Sequence, residues 1–421
     1  MIETLTLAPG VTLRCCRDHR FKQGCLSFQL VRPMSQTEAA QNALLPTVLL
    51  RGTRNHPSLR AITQRLDTLY GAAVSPLVRR VGDYQTVGVY CGFMDDRFAL
   101  PGDQVLLPML AFLEEILLDS PLENGGFLPE FVESEKKNLI ATIESDLNDK
   151  RVYAMNQLLK KMCSADSYGV PRLGDAAQVA AIDPVGLLEH YRRILRESPV
   201  EIFYVGSAAP ETVAEGLRPL LARLSREVQP LAPQSGFRSC PGTDSVEEMD
   251  VSQGKLCMGF TTPITNRDKN FPVMQVLNTL FGAGMTSKLF QNVREKLSLC
   301  YSIGSGYYGS KGIVVVSAGI DFDKEQLTRE QILLQLEACR QGQISDGELK
   351  AAKEAILSSL RGTHDSPGAI EGYYATAALS GLGLTPETYA DAVRAVTREQ
   401  VTAAAQSVQL HSTYFLKGVN P

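Results

Sequence analysis

Apolar residues recur along this chain with two different periods. Runs dense in β-branched and aromatic side chains predict strands at 25–31, 85–93 and 200–205, whereas apolar positions three and four apart predict helices at 108–118, 130–147 and 185–195. Past residue 245 the order returns, with a strand at 256–260, a helix at 271–280, a strand at 313–320 and two long helices at 324–340 and 345–360. The last of these opens on Ser345 followed by Glu348, the pairing in which two side chains satisfy each other's backbone amides at a helix start. Strands grouped apart from helices predict an α+β fold, with helices layered on mostly antiparallel sheets.

Between the two blocks the periodicity stops. Pro230, Pro233 and Pro241 fall close together in a stretch with turn-forming neighbours, which predicts a linker at 226–245 between domains at 1–225 and 246–421. The two blocks also align on each other. Gln23-Gly24 and Gln253-Gly254 each open an apolar run ending in a proline (253 − 23 = 230), Asn42 and Asn270 each open a helical pattern (270 − 42 = 228), and the stretch around Arg65 parallels that around Arg294 (294 − 65 = 229). Landmarks this close to one offset predict duplication, hence two lobes of like fold.

Composition narrows the function. With 42 basic and 46 acidic residues the formal net charge is −4, which leaves no cationic surplus for a phosphate backbone or an anionic membrane. The longest apolar stretch, 105–118, is broken by Pro108 and Glu114-Glu115 and is shorter than the roughly 20 residues of a membrane span. The first residues carry neither a basic nor an apolar leader segment, so a cytoplasmic location is expected. Nine scattered cysteines, without a C-x-x-C pair, fit a reducing compartment in which thiols are structural. The adjacent Cys15 and Cys16 are expected on opposite faces of one strand. Five histidines at 19, 56, 190, 364 and 411 form neither H-x-H nor H-x-x-x-H, so a local zinc motif is absent, and His190 reads as a helix residue. Neither a Walker phosphate loop nor a G-x-S-x-G elbow is present.

One segment stands out, Phe281 to Tyr307. Gly282 and Gly284 are expected to free the backbone for a tight turn, Thr286 or Ser287 to cap a helix at 288–296, and Arg294 and Tyr301 to flank a short helix-to-strand connection. Gly282-Ala283-Gly284-Met285-Thr286-Ser287-Lys288-Leu289-Phe290, Arg294-Glu295-Lys296 and Leu299-Cys300-Tyr301-Ser302 resemble the Gly-Gly-Gly-Met-Ser-Ser-Arg-Leu-Phe loop and REKxGLxYS motif of the pitrilysin, insulinase and mitochondrial processing peptidase family of zinc metallopeptidases. The stretches Asp166 to Asp183, Ile202 to Ser207 and Ile344 to Leu360 extend the resemblance over nearly the whole chain.

The resemblance implies two homologous lobes forming half of a clamshell, and in active members an H-x-x-E-H zinc motif just before a Gly-Thr. Aligned on Arg51-Gly52-Thr53, those positions hold Ala43, Pro46 and Thr47, and the third ligand falls near Thr142, with Glu144 close by. A methyl group and a pyrrolidine offer zinc no lone pair, and Pro46 cannot act as a base. Proline inside a helix costs about 3 kcal/mol, so the helix is expected to start near Asn42, leaving Pro46 in its first turn.

Arg294 and Tyr301 are retained. The resemblance implies that they reach the partner's zinc site, contacting substrate backbone and the developing oxyanion, with Gly282 and Gly284 in a substrate-chamber loop. The expected function is therefore a non-catalytic subunit, without cofactor of its own, of a heterodimer whose H-x-x-E-H partner carries zinc and whose substrate is a peptide, added as a strand to a sheet edge of the partner. Two alternatives stand beside it. One is an inert peptide-binding or scaffold protein, self-associating; for the residue pair itself, the structural alternative is that Arg294 pairs with a neighbouring carboxylate and Tyr301 packs in the core. The other is a relocated metal held by residues such as His56 and Glu144.

Overall fold

The computed structural model describes residues 2–419, which pack as two compact units. The first contains residues up to Glu144, Val170–Pro233 and His364–Thr376; the second contains Ser145–Gly169, Gln234–Thr363 and the residues from Ala377 on.

The first unit is built on strands β1 (Ile2–Ala8), β2 (Val11–Arg17), β3 (Gln23–Pro33), β4 (Ala73–Val81) and β5 (Tyr84–Met94), a short ribbon of β6 (Leu122–Glu123) and β7 (Gly126–Phe127), and β8 (Val200–Gly206). Its sheet runs β1-β2-β8-β3-β5-β4. Helices α1 (Ala39–Leu49), α2 (Leu59–Asp67), α3 (Leu106–Leu118), α4 (Pro129–Ser145), α5 (Lys150–Met162), α6 (Ala176–Ala180) and α7 (Pro184–Glu197) lie between these strands in the chain, and α8 (Pro210–Ala222) follows β8. All belong to this unit except α5 and the last residue of α4. The second unit holds β9 (Asp244–Met249), β10 (Gly254–Thr261), β11 (Cys300–Tyr308), β12 (Ile313–Ile320) and β13 (Gln409–Gly418), in the order β11-β12-β10-β13-β9. Its helices are α9 (Phe271–Phe281), a π-helix at Leu289–Lys296, α10 (Glu325–Arg340), α11 (Asp346–Gly362), the end of α12 (Pro367–Ser380), α13 (Pro386–Ala395) and α14 (Arg398–Gln406).

The two sheets repeat one plan. A central strand (β3 or β10) is flanked antiparallel on both sides, by β5 or β12 and by β8 or β13, and beyond the latter lies a parallel neighbour, β2 or β9. The α+β reading and the duplicated lobes hold. Ser345 caps α11 and forms the reciprocal box with Glu348. Cys15 is buried in the main core while Cys16, on the opposite face, packs beside Cys25 and Val205.

Helix α1 corrects one expectation. It begins at Ala39, so Pro46 lies well inside it rather than in the first turn. Proline has no N–H for the carbonyl of Asn42. The loss is tolerated because most of the helix, from Ala39 to Leu49, is buried, and Ala43, Leu44, Leu45 and Val48 sit in the core with Phe28, Phe112 and Ile202. Each large apolar side chain buried there contributes about 1.5–3 kcal/mol.

The sheet edges differ. The carbonyl of Val78 in β4 accepts from Arg172 Nη1 at 2.6 Å, so the alternate set of Val74, Pro76 and Val78 faces the free edge, where Pro76 presents no donor. On β11 the Ser305 N–H donates to Gly282 O at 3.0 Å, so the loop after α9 covers part of that edge.

Buried polar groups tie distant segments together. In the first unit Glu371 of α12, 1% exposed, accepts from Arg79 Nη1 and Nη2 at 2.9 and 2.8 Å, from Ser27 Oγ at 2.7 Å and from Gln29 Nε2 at 3.1 Å. In the second, Lys311, in the turn between β11 and β12, meets Asp166 Oδ1 at 2.9 Å with both side chains fully buried. Asp166 also accepts from the N–H groups of Tyr168 at 2.9 Å and Arg238 at 3.1 Å, and Lys311 donates to Ser235 Oγ at 3.1 Å. Removing one partner of such a pair strands a buried charge. Lys311→Met is expected to lower the unfolding free energy by about 3–5 kcal/mol in a urea titration; a loss under about 1 kcal/mol would show that the pair does not hold this junction.

Candidate functional site

The positions corresponding to a zinc motif lie in the first unit. Ala43 and Pro46 are buried on α1, and the Thr47 hydroxyl donates to Leu44 O at 2.8 Å. Thr142 is exposed on α4, with its hydroxyl on Asn138 O at 2.9 Å, and Glu144 is exposed as well. The donor set does not fit zinc: one methyl, one pyrrolidine and two hydroxyls hydrogen-bonded to their own helices. Nor do His56 and Glu144 form an alternative pair, because His56 Nδ1 lies 2.8 Å from Glu115 Oε1 and its ring packs edge-on against Phe112. Among the described residues no three His, Cys, Asp or Glu side chains are grouped to hold a metal ion. The carboxylate of α4 that turns inward is Glu135, 8% exposed, paired with Arg51 Nη1 at 3.3 Å. Its spacing of three or four from Phe131, Val132 and Leu139, which are also buried, is the sequence signal that marks it as inward-facing.

What holds α1 instead is a buried polar chain. His190 Nε2 meets Asn42 Oδ1 at 2.7 Å, Asn42 Nδ2 donates to Gln85 Oε1 at 2.8 Å, and Gln85 Nε2 donates to the carbonyls of Arg172 and Ala39 at 2.7 and 3.2 Å. The other ring nitrogen, Nδ1, lies 2.9 Å from Arg193 Nη2, so it accepts and the imidazole is neutral. Burial, opposed by Glu38 and reinforced by Arg193, depresses the His190 pKa to about 4.

Arg294 and Tyr301 come together in the second unit. They line one pocket of about 370 Å³ with Cys300, Asp321 and Lys324. Arg294 sits on the π-helix with its guanidinium carbon 4.6 Å from the centre of the Phe290 ring and Nη1 3.6 Å from Glu295 Oε1. That carboxylate is half exposed, so the pairing is a weak surface one. Tyr301 is 61% exposed rather than in the core, and its hydroxyl donates to Asp321 Oδ1 at 2.9 Å, which raises its pKa. Lys324 Nζ, 2.7 Å from Asp321, and the Tyr301 hydroxyl together lower the Asp321 pKa. Asp321 and Lys324 follow β12 in the chain and carried no motif of their own.

The connection to Tyr301 is strained. Ser298 has φ of 50°, in the region that favours glycine, at the position where the REKxGLxYS motif has glycine. Its N–H bonds Arg294 O at 3.0 Å. The helix expected at 288–296 is a π-helix, a form concentrated at functional sites, and the Ser287 hydroxyl accepts from Phe290 N–H at 3.3 Å. Gly282 has φ of −153°, so it serves space and not a left-handed turn: a Cβ there would meet Ser305 Oγ at 2.6 Å. Gly284 has nothing within 4 Å of a Cβ position. Gly282 and Gly284 line a second cavity, floored by Gly304 and Gly306. With Gly309 these last two have G-x-G-x-x-G spacing, but they lie within and just after a strand rather than opening a helix, so they are no phosphate cradle.

Comparison with known proteins agrees with this architecture. The family model described as "Peptidase M16 inactive domain" matches residues 183–356. The chain is 29% identical to a probable inactive metalloprotease, YmfF, of Bacillus subtilis, over 97% of this chain and 96% of that protein. A conserved protein from Enterococcus faecalis superposes with a TM-score of 0.92 at 26% identity, covering 100% of this chain and 99% of that one. A peptidase M16 inactive domain from Pseudomonas fluorescens shares the fold with a TM-score of 0.81 at 18% identity, covering 99% and 98%. No helix among the described residues is long and apolar enough to cross a membrane.

The neutral His190 gives a pH prediction for α1. Its folded pKa lies below the ordinary value of 6.5, so below that pH the unfolded chain takes up a proton the folded chain refuses. Stability is therefore expected to fall as pH drops from about 6.5 to about 4, and His190→Gln to flatten that slope in urea midpoints measured across the window. An unchanged slope would show that another group controls it.

Proposed function

The chain belongs to the peptidase M16 (pitrilysin) family as an inactive homologue, and on that premise we propose that it is the non-catalytic subunit of a heterodimeric zinc metallopeptidase. One observation carries the reading. The Arg294 and Tyr301 pair stands open to solvent in a single pocket, while the chain's own motif positions hold no group able to bind zinc or activate water.

In this reading the partner's H-x-x-E-H site supplies the zinc and the nucleophilic water. This chain supplies two donors, a guanidinium and a phenol, aimed at the substrate backbone and at the charge that grows on its carbonyl oxygen. A preorganised donor in a site closed to water contributes about 3 kcal/mol to such a step. The Tyr301 hydroxyl, donated to Asp321 in the free chain, exchanges that acceptor for the substrate oxygen when the partner docks. The π-helix and the left-handed Ser298 fix the direction from which the two side chains leave the backbone.

Affinity purification from the native extract is expected to recover a chain of similar size bearing an intact H-x-x-E-H. In that complex Arg294→Ala and Tyr301→Phe are each expected to cut peptide turnover by at least about tenfold without dissociating the subunits. Recovery of this chain alone, or unchanged turnover in both variants, would overturn the subunit reading in favour of a scaffold.

A further inference from the structure

One strip of the second sheet has almost no side chains. Where β11 runs beside β12, Ser302, Gly304 and Gly306 stand opposite Gly319, Ser317 and Val315, and residues opposite each other share a face. Helix α5 covers the adjoining part of that face, packing Leu158 and Met162 against Cys257 and Val315. At the first turn of α5 the cover ends, and a cavity of about 510 Å³ opens, within the range of ligand pockets.

Nothing within the chain explains the glycines of this floor. Glycine inside a strand is costly, and it marks a bulge or the close approach of something else. Neither Gly304 nor Gly306 has a positive φ. A Cβ at Gly304 would have no neighbour nearer than Gly282 O at 3.5 Å, and one at Gly306 none nearer than the Tyr308 ring at 3.9 Å. Neither backbone conformation nor packing demands them, which leaves room for an outside group. Met155, Met285 and Phe290 line the same cavity, and Met285 is 74% exposed. Thioethers beside a flat peptide floor suit an aromatic ring.

The rim has a charge to match. Arg151 is exposed and makes no ion pair among the described residues. Lys255 lies near enough to feel its charge. Of the acids nearby, Asp149 accepts from the N–H groups of Arg151 and Val152 as the cap of α5, and Asp250 lines an adjoining cavity that shares Arg151 with this one and also contains Lys255.

We infer that this cavity binds an extended peptide segment, seating a bulky apolar side chain, aromatic by preference, over Gly304 and Gly306, with an adjacent carboxylate against Arg151. The site is separate from the Arg294 and Tyr301 pocket, although Phe290, which lines it, also stacks against the Arg294 guanidinium. It rests on the reading that this chain handles peptides, but it requires no partner.

The test is fluorescence anisotropy of the purified full-length chain with dye-labelled, end-blocked peptides carrying a central Phe-Glu, Ala-Glu or Phe-Lys pair. Phe-Glu is expected to bind at least about tenfold more tightly than either other peptide. Gly306→Val, whose Cβ meets only ordinary contacts, is expected to abolish that binding while leaving the melting temperature unchanged, and Arg151→Glu to reverse the preference to Phe-Lys. Equal binding of the three peptides, or a folded Gly306→Val that binds like the parent chain, would overturn the inference. So would a lone chain that binds no peptide but self-associates until Gly306→Val prevents it, since the occupant would then be a second copy. Absence of peptide binding together with a partner complex whose turnover depends on Arg294 retires this site alone; peptide binding by a chain for which no partner is recovered retires the subunit reading alone.

Discussion

A fully buried lysine–carboxylate pair, Lys311 with Asp166, is the constraint on which the second unit depends. Asp166 follows α5 in a segment far from β11 and β12 in sequence, and Lys311 is the turn between those strands. Their bond, with the Tyr168 and Arg238 amides on the same carboxylate and Ser235 on the same ammonium, closes a junction of three chain segments around one charge pair. Desolvating two ions is expensive and an apolar pair could pack as well. Such a pair does fix register, because neither ion can slide without losing its counter-charge. With the junction set, α5 lies over β10 and β13 and ends its cover where the glycine-floored cavity begins.

In the first unit the helix that carries Ala43, Pro46 and Thr47 is held by apolar packing and one buried polar chain. α1 has kept its place against the sheet, but its inward positions are methyl, isobutyl and pyrrolidine groups, and its one buried amide, Asn42, is occupied by His190 and Gln85. A proline in mid-helix removes a backbone hydrogen bond and crowds the preceding turn, a cost that the buried apolar contacts of α1 offset. The contrast with the Arg294 and Tyr301 segment is physical. There the backbone retains a π-helix and a left-handed serine, both locally costly, where simpler packing would favour neither.

Much of the fold was legible because it is written in periodicity. The strands at β3, β5, β8, β10 and β12 and the long helices carry their own pattern, and the repeat offset reappears as the shared strand order of the two sheets. What was not legible is non-local. Residues 145–169 pack with the second unit and 364–376 with the first, through Asp166 and Glu371, which in sequence are single acids with no motif that marks them as buried. The start of α1 was misplaced because Pro46 carries a strong local signal that burial overrides. At the candidate site, the spacing from Arg294 to Tyr301 pointed to a helix-to-strand turn, but Asp321 and Lys324 enter their pocket only through the pairing of β11 with β12.

Pro76 carries a consequence for the molecule in a crowded cell. A free strand edge is a template, and any chain with unsatisfied amides can extend it into an open-ended stack. The outer edge of β4 has a missing donor at Pro76 and a carbonyl at Val78 already occupied by Arg172, so a strand laid along it would lose its ladder midway. The first sheet is thereby shielded on this side against becoming the seed of its own aggregation.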